Sequence, residues 1–118
     1  MKQAYEAIEK ATRFEKKVLD NGLTVLVHSM PGFTGVHAIY GTHFGSVDRK
    51  FLLDGKPYEM PAGTAHFLEH KMFENEEGDA FTLYAKTGAS ANAYTGFDRT
   101  CYIFTATDRI DENLDILL

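Results

Sequence analysis

His66, Glu69 and His70 stand in the order H-x-x-E-H inside Gly63-Thr64-Ala65-His66-Phe67-Leu68-Glu69-His70, and that spacing asks for a helix. Helical residues four apart lie one turn above each other, so both imidazoles face the same way and can close on one metal ion. Glu69 falls about a third of a turn from the pair, near enough to act on a water there without being a ligand. Ala65, Leu68 and Met72 form an apolar stripe; His66 and His70 project away from it, with Phe73 on their side. Only Lys71 and Glu74 read as clear solvent residues, so the pattern predicts a central, buried helix over 64–74. Burying two histidines and a carboxylate together is unfavourable unless they share a purpose. The plain alternative is two ordinary histidines, one packed and one exposed.

The elements around this helix follow from local signals. Ala4, Tyr5, Ala7, Ile8 and Ala11 fit one face of a short amphipathic helix over 2–12. Asn21-Gly22, set between apolar and β-branched runs, predicts a hairpin over Lys17–Val27, because both residues tolerate positive φ. Pro31-Gly32 ends its second strand, and Gly35–Phe44 reads as a third. Residues 45–63, with Gly45, Asp48, Gly55, Pro57, Pro61 and Gly63, read as a long loop. A further helix is expected from Asp79 to Lys86, stopped by Gly88. Strands are expected over 90–95 and 100–106 about a turn at 96–99. Asp108 opens a last helix whose apolar face is Ile110, Leu114, Leu117 and Leu118. The order ββ–β–α–α–ββ–α predicts an α+β fold, an antiparallel sheet with helices packed on one face.

A chain of 118 residues has room for one domain with a core. Its formal charge is −5, with no basic run, which argues against nucleic acid or an anionic membrane surface as a partner. Glu74, Glu76, Glu77 and Asp79 make a small acidic cluster of the kind that sits in a solvated loop. Cys101 is the lone cysteine, so neither an intrachain disulfide nor a thiolate zinc knuckle can form. No apolar segment in residues 1–17 reads as a secretory signal, and no run of 18 apolar residues occurs. The default expectation is a soluble, cytoplasmic protein.

Zinc suits the histidine pair, since neutral imidazole binds it readily and a helix pre-orients both ligands. Zinc-held water ionises near neutral pH, and a neighbouring carboxylate can take its proton and pass it to a leaving amine. His66 and His70 are therefore the candidate ligands and Glu69 the candidate base. H-x-x-E-H inverts the better-known H-E-x-x-H zinc-peptidase helix. Zinc hydrolases ordinarily use three protein ligands, and the motif supplies two. His28, at a strand end, and His37, within a strand, read as structural or surface residues. Nothing in the spacing of His43 assigns it to the site.

The run Gly63–Glu74, ending Lys71-Met72-Phe73-Glu74, resembles the signature of the pitrilysin/insulysin family of inverzincin metallopeptidases, especially its cytoplasmic bacterial members. Leu19-Asp20-Asn21-Gly22-Leu23-Thr24-Val25 is similar to the family's opening hairpin, and the strand ending Gly45-Ser46 to its second signature. Ser90–Thr95 followed by Arg99-Thr100-Cys101-Tyr102 resembles the strand pair after the motif helices. The resemblance implies a zinc endopeptidase with His66 and His70 as ligands and Glu69 as base. It makes Asn92, Ala93 and Tyr94 an edge strand that receives an extended peptide or small protein substrate by main-chain hydrogen bonds. It also implies a homo- or heterodimer, or paired homologous domains. The family's third ligand, a glutamate on a later helix, would fall beyond residue 118. The chain is accordingly expected to be the N-terminal portion of one peptidase domain, inactive by itself. Two other readings are a non-catalytic subunit of a peptidase pair and a small metal-binding domain complete as it stands.

Overall fold

The computed structural model describes residues 2, 3, 6, 13–75 and 78–118. Ala4, Tyr5, Ala7, Ile8 and Ala11 of the expected first helix, and Glu76 and Glu77, lie outside the described residues. The chain divides into two compact units, Met1–Thr34 and Gly35–Leu118.

The first unit contains a hairpin of β1 (Glu15–Val18) and β2 (Thr24–Val27), paired from Glu15↔Val27 to Val18↔Thr24. Its turn closes where Asn21-Gly22 predicts. Gly22 N donates to Leu19 O at 2.9 Å, and Asn21 accepts Leu23 N through its side-chain Oδ1 at 3.0 Å. Gly22 supplies the positive φ of +86°. β2 ends at Val27, four residues ahead of the Pro31-Gly32 breaker.

The second unit is built on β3 (Val36–Thr42), β8 (Ser90–Thr95) and β9 (Thr100–Ala106), in the order β3-β9-β8 and antiparallel throughout. Side chains alternate across the strands, so Tyr102, Phe104 and Ala106 of β9 share one face with Ala38 and Tyr40 of β3 and Ala91 and Ala93 of β8. The three helices described in this unit, α1 (Thr64–Phe73), α2 (Ala80–Thr87) and α3 (Ile110–Leu117), pack on that face. Phe104 is fully buried against Tyr84 of α2, and Ile110, Leu114 and Leu117 of α3 close over the same cluster. Phe73 of α1 stacks on Phe81 at 4.5 Å and leans toward Tyr102 at 5.9 Å. The fold is therefore the expected α+β arrangement. Ile39, Ile103 and Tyr94 point to the opposite face, where Ile39 is 56% exposed.

The helix ends obey the local rules. Asp79 caps α2 by accepting Phe81 N at 2.8 Å, and Gly88 ends it at φ +75°. Asp108 accepts Arg109 N at 2.7 Å ahead of α3. Fully buried Asn113 accepts the Thr87 hydroxyl and donates to Arg109 O, tying α3 to the end of α2.

One expectation fails here. Residues 45–63 are not a plain loop: β4 (Lys50–Leu53) and β5 (Lys56–Glu59) form a hairpin about Asp54-Gly55, at φ +51° and +75°. Pro57 sits opposite Leu52 in this two-stranded ribbon, where an outer edge needs no N–H. α1 spans its expected range to within one residue, and Glu74 begins β6 (Glu74–Asn75), paired with β7 (Gly78–Asp79). Glu74 also closes a surface ion pair with Lys71 at 2.7 Å, which holds its carboxyl below the usual carboxylate range.

Candidate metal centre

α1 begins at Gly63, whose φ of +87° turns the chain into the helix; the Thr64 hydroxyl donates back to Pro61 O at 2.8 Å. The helix then presents positions 65, 69 and 73 to the sheet, one turn apart. Ala65 is small and buried, Glu69 is 9% exposed, and Phe73 fills the space beside Phe81. The predicted stripe of Ala65, Leu68 and Met72 is not the packed face: Leu68 is exposed and Met72 is 67% exposed. His66 and His70 are exposed too, so α1 is not buried all round and only the carboxylate of the trio is buried.

The two histidines nevertheless converge. Their Nε2 atoms lie 3.0 Å apart, with ring centroids at 4.8 Å. His66, Glu69 and His70 each offer a ligand atom, all within 4.8 Å of one another. Two ligands held tetrahedrally at about 2.0–2.1 Å from zinc sit about 3.3 Å apart, so the imidazole pair fits such an ion to within a few tenths of an ångström. At this distance one ring nitrogen donates to the other, and these two nitrogens carry the lone pairs that a shared ion would need.

Glu69 faces the sheet rather than the solvent. Its Oε2 accepts a hydrogen bond from the Thr95 hydroxyl at the end of β8. Tyr102 lies nearby; burial first, and the Glu69 charge second, push its phenol above the usual tyrosine value. The H-x-x-E-H spacing does not point to Thr95 or Tyr102; their signal is the alternation of β8 and β9, which turns both toward α1.

β8 is the outer strand of the sheet, with β9 as its one neighbour among the described residues. Ala93 N donates to Oδ1 of Asn92 at 2.9 Å, so a side chain covers a main-chain donor on this strand. Asn92 and Ala93 line a cleft of about 200 Å³ with Glu69, His70 and Phe73. Tyr94 does not line it; it points to the other sheet face, beside Cys101, which raises its phenol pKa. His28 is exposed and bonded through Nδ1 to Arg13 O, while His37 meets the Thr105 hydroxyl at 2.9 Å. His43 lies beside Asp98 and contributes to lowering that carboxyl, after the larger effect of Arg99.

A sequence model described as Insulinase (Peptidase family M16) matches residues 55–118, more than half of the chain and including the whole histidine–glutamate helix. The chain belongs to the M16, or insulinase, family of peptidases. Over 116 residues, 97% of its length, this M16 chain is 43% identical to a Bacillus subtilis (strain 168) protein named "Uncharacterized zinc protease YmfH". Among solved structures, a protein described as an M16-like peptidase from Alicyclobacillus acidocaldarius superposes with a TM-score of 0.84 at 46% identity, over 89% of the chain. A protease from Helicobacter pylori superposes at 0.72 with 25% identity, again over 89%. The M16 chain spans about a quarter of each relative: 27%, 25% and 24% of their lengths. Among the described residues no helix is long and apolar enough to cross a membrane.

Proposed function

We propose that this chain carries the metal-binding helix and the substrate strand of a zinc-dependent endopeptidase. The observation that carries the reading is the convergence of the two Nε2 atoms, 3.0 Å apart, beside a buried glutamate. His66 and His70 would hold the ion, with the third ligand supplied from beyond residue 118 of a longer domain. Held by His66 and His70, a zinc ion would supply an acidified water and an electrophile for the substrate carbonyl. Glu69 accepts the proton of the attacking water and returns it to the leaving amine. Its burial keeps that carboxylate away from bulk solvent, and the Thr95 hydroxyl engages one of its two oxygens.

β8 orients the substrate. An extended peptide adds to its outer edge, its carbonyl displacing the Asn92 side chain from Ala93 N–H. Tyr94 serves the same strand through its backbone, its side chain lying on the far face. The cleft between this edge and His70 then holds the scissile bond near Glu69. Family relatives named zinc proteases support the reading. A cytoplasmic location and pairing with a homologous subunit or domain belong to the same proposal.

The test is Glu69→Gln in the full-length protein. It keeps the shape of the side chain and removes its basicity. Zinc content should stay at the wild-type level, while cleavage of an internally quenched peptide pool falls by about a hundredfold or more. A Glu69→Gln enzyme that still turns over at the wild-type rate would refute the mechanism.

A further inference from the structure

We infer that Thr95 is a positioning residue that fixes the Glu69 carboxylate beside the histidine pair; the inference rests on Glu69 being the base. Glu69 is the one buried member of the trio, and a buried carboxylate needs a hydrogen-bond donor. That donor is not on α1. It is the Thr95 hydroxyl, the last side chain of β8 and one residue beyond Asn92–Tyr94.

Three features make this hydroxyl a fixed peg. Threonine is β-branched, so its χ1 is restricted in a strand. Its cross-strand partner, Thr100, has its own hydroxyl committed to Phe44 O at 2.8 Å, so the two do not compete. The turn that follows is clamped from outside: Ser46 N donates to Gly96 O at 2.9 Å and Val47 N to Phe97 O at 3.0 Å. A glutamate has three rotatable side-chain bonds and loses much rotamer freedom when one oxygen is held. The strand that receives the peptide is thus also the strand that holds the base. A substrate in register on β8 is then also placed relative to the Glu69 carboxylate that Thr95 holds.

Two variants of the full-length protein separate the hydroxyl from the shape. Thr95→Val keeps the branched outline and removes the donor; Thr95→Ser keeps the donor. With an internally quenched peptide as probe, Thr95→Val should lower kcat by about tenfold or more, the size of a lost hydrogen bond to a charged group, with KM within about twofold. Thr95→Ser should stay within about threefold of wild type, and both should retain zinc. A crystal structure of Thr95→Val should show the Glu69 carboxylate moved off its wild-type position. Should Thr95→Val fail to fold, Thr95→Ala takes its place. A wild-type kcat in Thr95→Val, or an unmoved Glu69 in its crystal structure, overturns the inference. Glu69→Gln distinguishes the two levels. Turnover in that variant removes the base itself, whereas its inactivity beside a fully active Thr95→Val removes the peg alone.

Discussion

Gly45→Ala should loosen the clamp behind β8. A Cβ at Gly45 would stand 2.4 Å from Phe97 O and 2.5 Å from Arg99 N, both backbone atoms that no rotamer change can clear. Reaching ordinary contact requires the 96–99 turn to withdraw by about 1 Å. Ser46 N→Gly96 O and Val47 N→Phe97 O, at 2.9 and 3.0 Å, cannot survive that displacement as hydrogen bonds. Two backbone bonds at about 0.5–1.5 kcal/mol each put the local loss at about 1–3 kcal/mol. Hydrogen exchange reads this directly: amides in 44–48 and 96–99 should exchange about 5- to 150-fold faster, while α2 and α3 stay protected. Gly41→Ala is the control, since its Cβ would meet only Cys101 Sγ at an ordinary 3.7 Å. Unchanged exchange in the two segments of a folded Gly45→Ala protein would refute the steric reasoning.

Ala93→Pro removes the donor now covered by Asn92 and is tolerated where the N–H faces away from the partner strand. The full-length variant should retain zinc and lose about tenfold or more in kcat/KM; full activity would show that no peptide adds at that edge. Burial raises the Tyr84 phenol above its ordinary value of 10.0. Its contribution is therefore fully present below about pH 10 and lost as pH rises through the higher folded value. Urea midpoints measured from pH 8 to 11 should fall less steeply in Tyr84→Phe than in wild type, and equal slopes would remove this cause.

The regular elements of the second unit were legible because each carries its own local signal. Alternation in Ser90–Thr95 and Thr100–Ala106, the Asp79 cap and the Gly88 stop all act within a few residues. The β4–β5 hairpin was not, although Asp54-Gly55 is a strong turn signal. Pro57 and Pro61 read as loop residues, yet a proline on the rim of a two-stranded ribbon breaks nothing. The orientation of α1 was misread for a physical reason. Hydrophobicity alone selects Ala65, Leu68 and Met72 as the inward stripe, whereas tertiary contacts select Ala65, Glu69 and Phe73. The residue that breaks the pattern is the proposed base, and its partner Thr95 is visible only once β8 and α1 are side by side. The spacing of His66 and His70 made their convergence legible, but not their exposure.

The sheet order carries a consequence for how the chain comes together. β8 meets β9 across a four-residue turn at 96–99, but β3 meets β9 only after residues 43–99 have been looped out. Loop-closure entropy grows as about (3/2)RT ln n, which sets the second pairing about 2 kcal/mol behind the first. By that ordering β8 and β9 are expected to pair before β3 joins them. On the ribosome β3 emerges first and waits, unpaired, until Ala106 has been synthesised. Through that interval the backbone groups of β3 are unpaired and Ala38 has no core to pack on, the window in which a nascent chain of this topology is most prone to aggregate or to engage a chaperone.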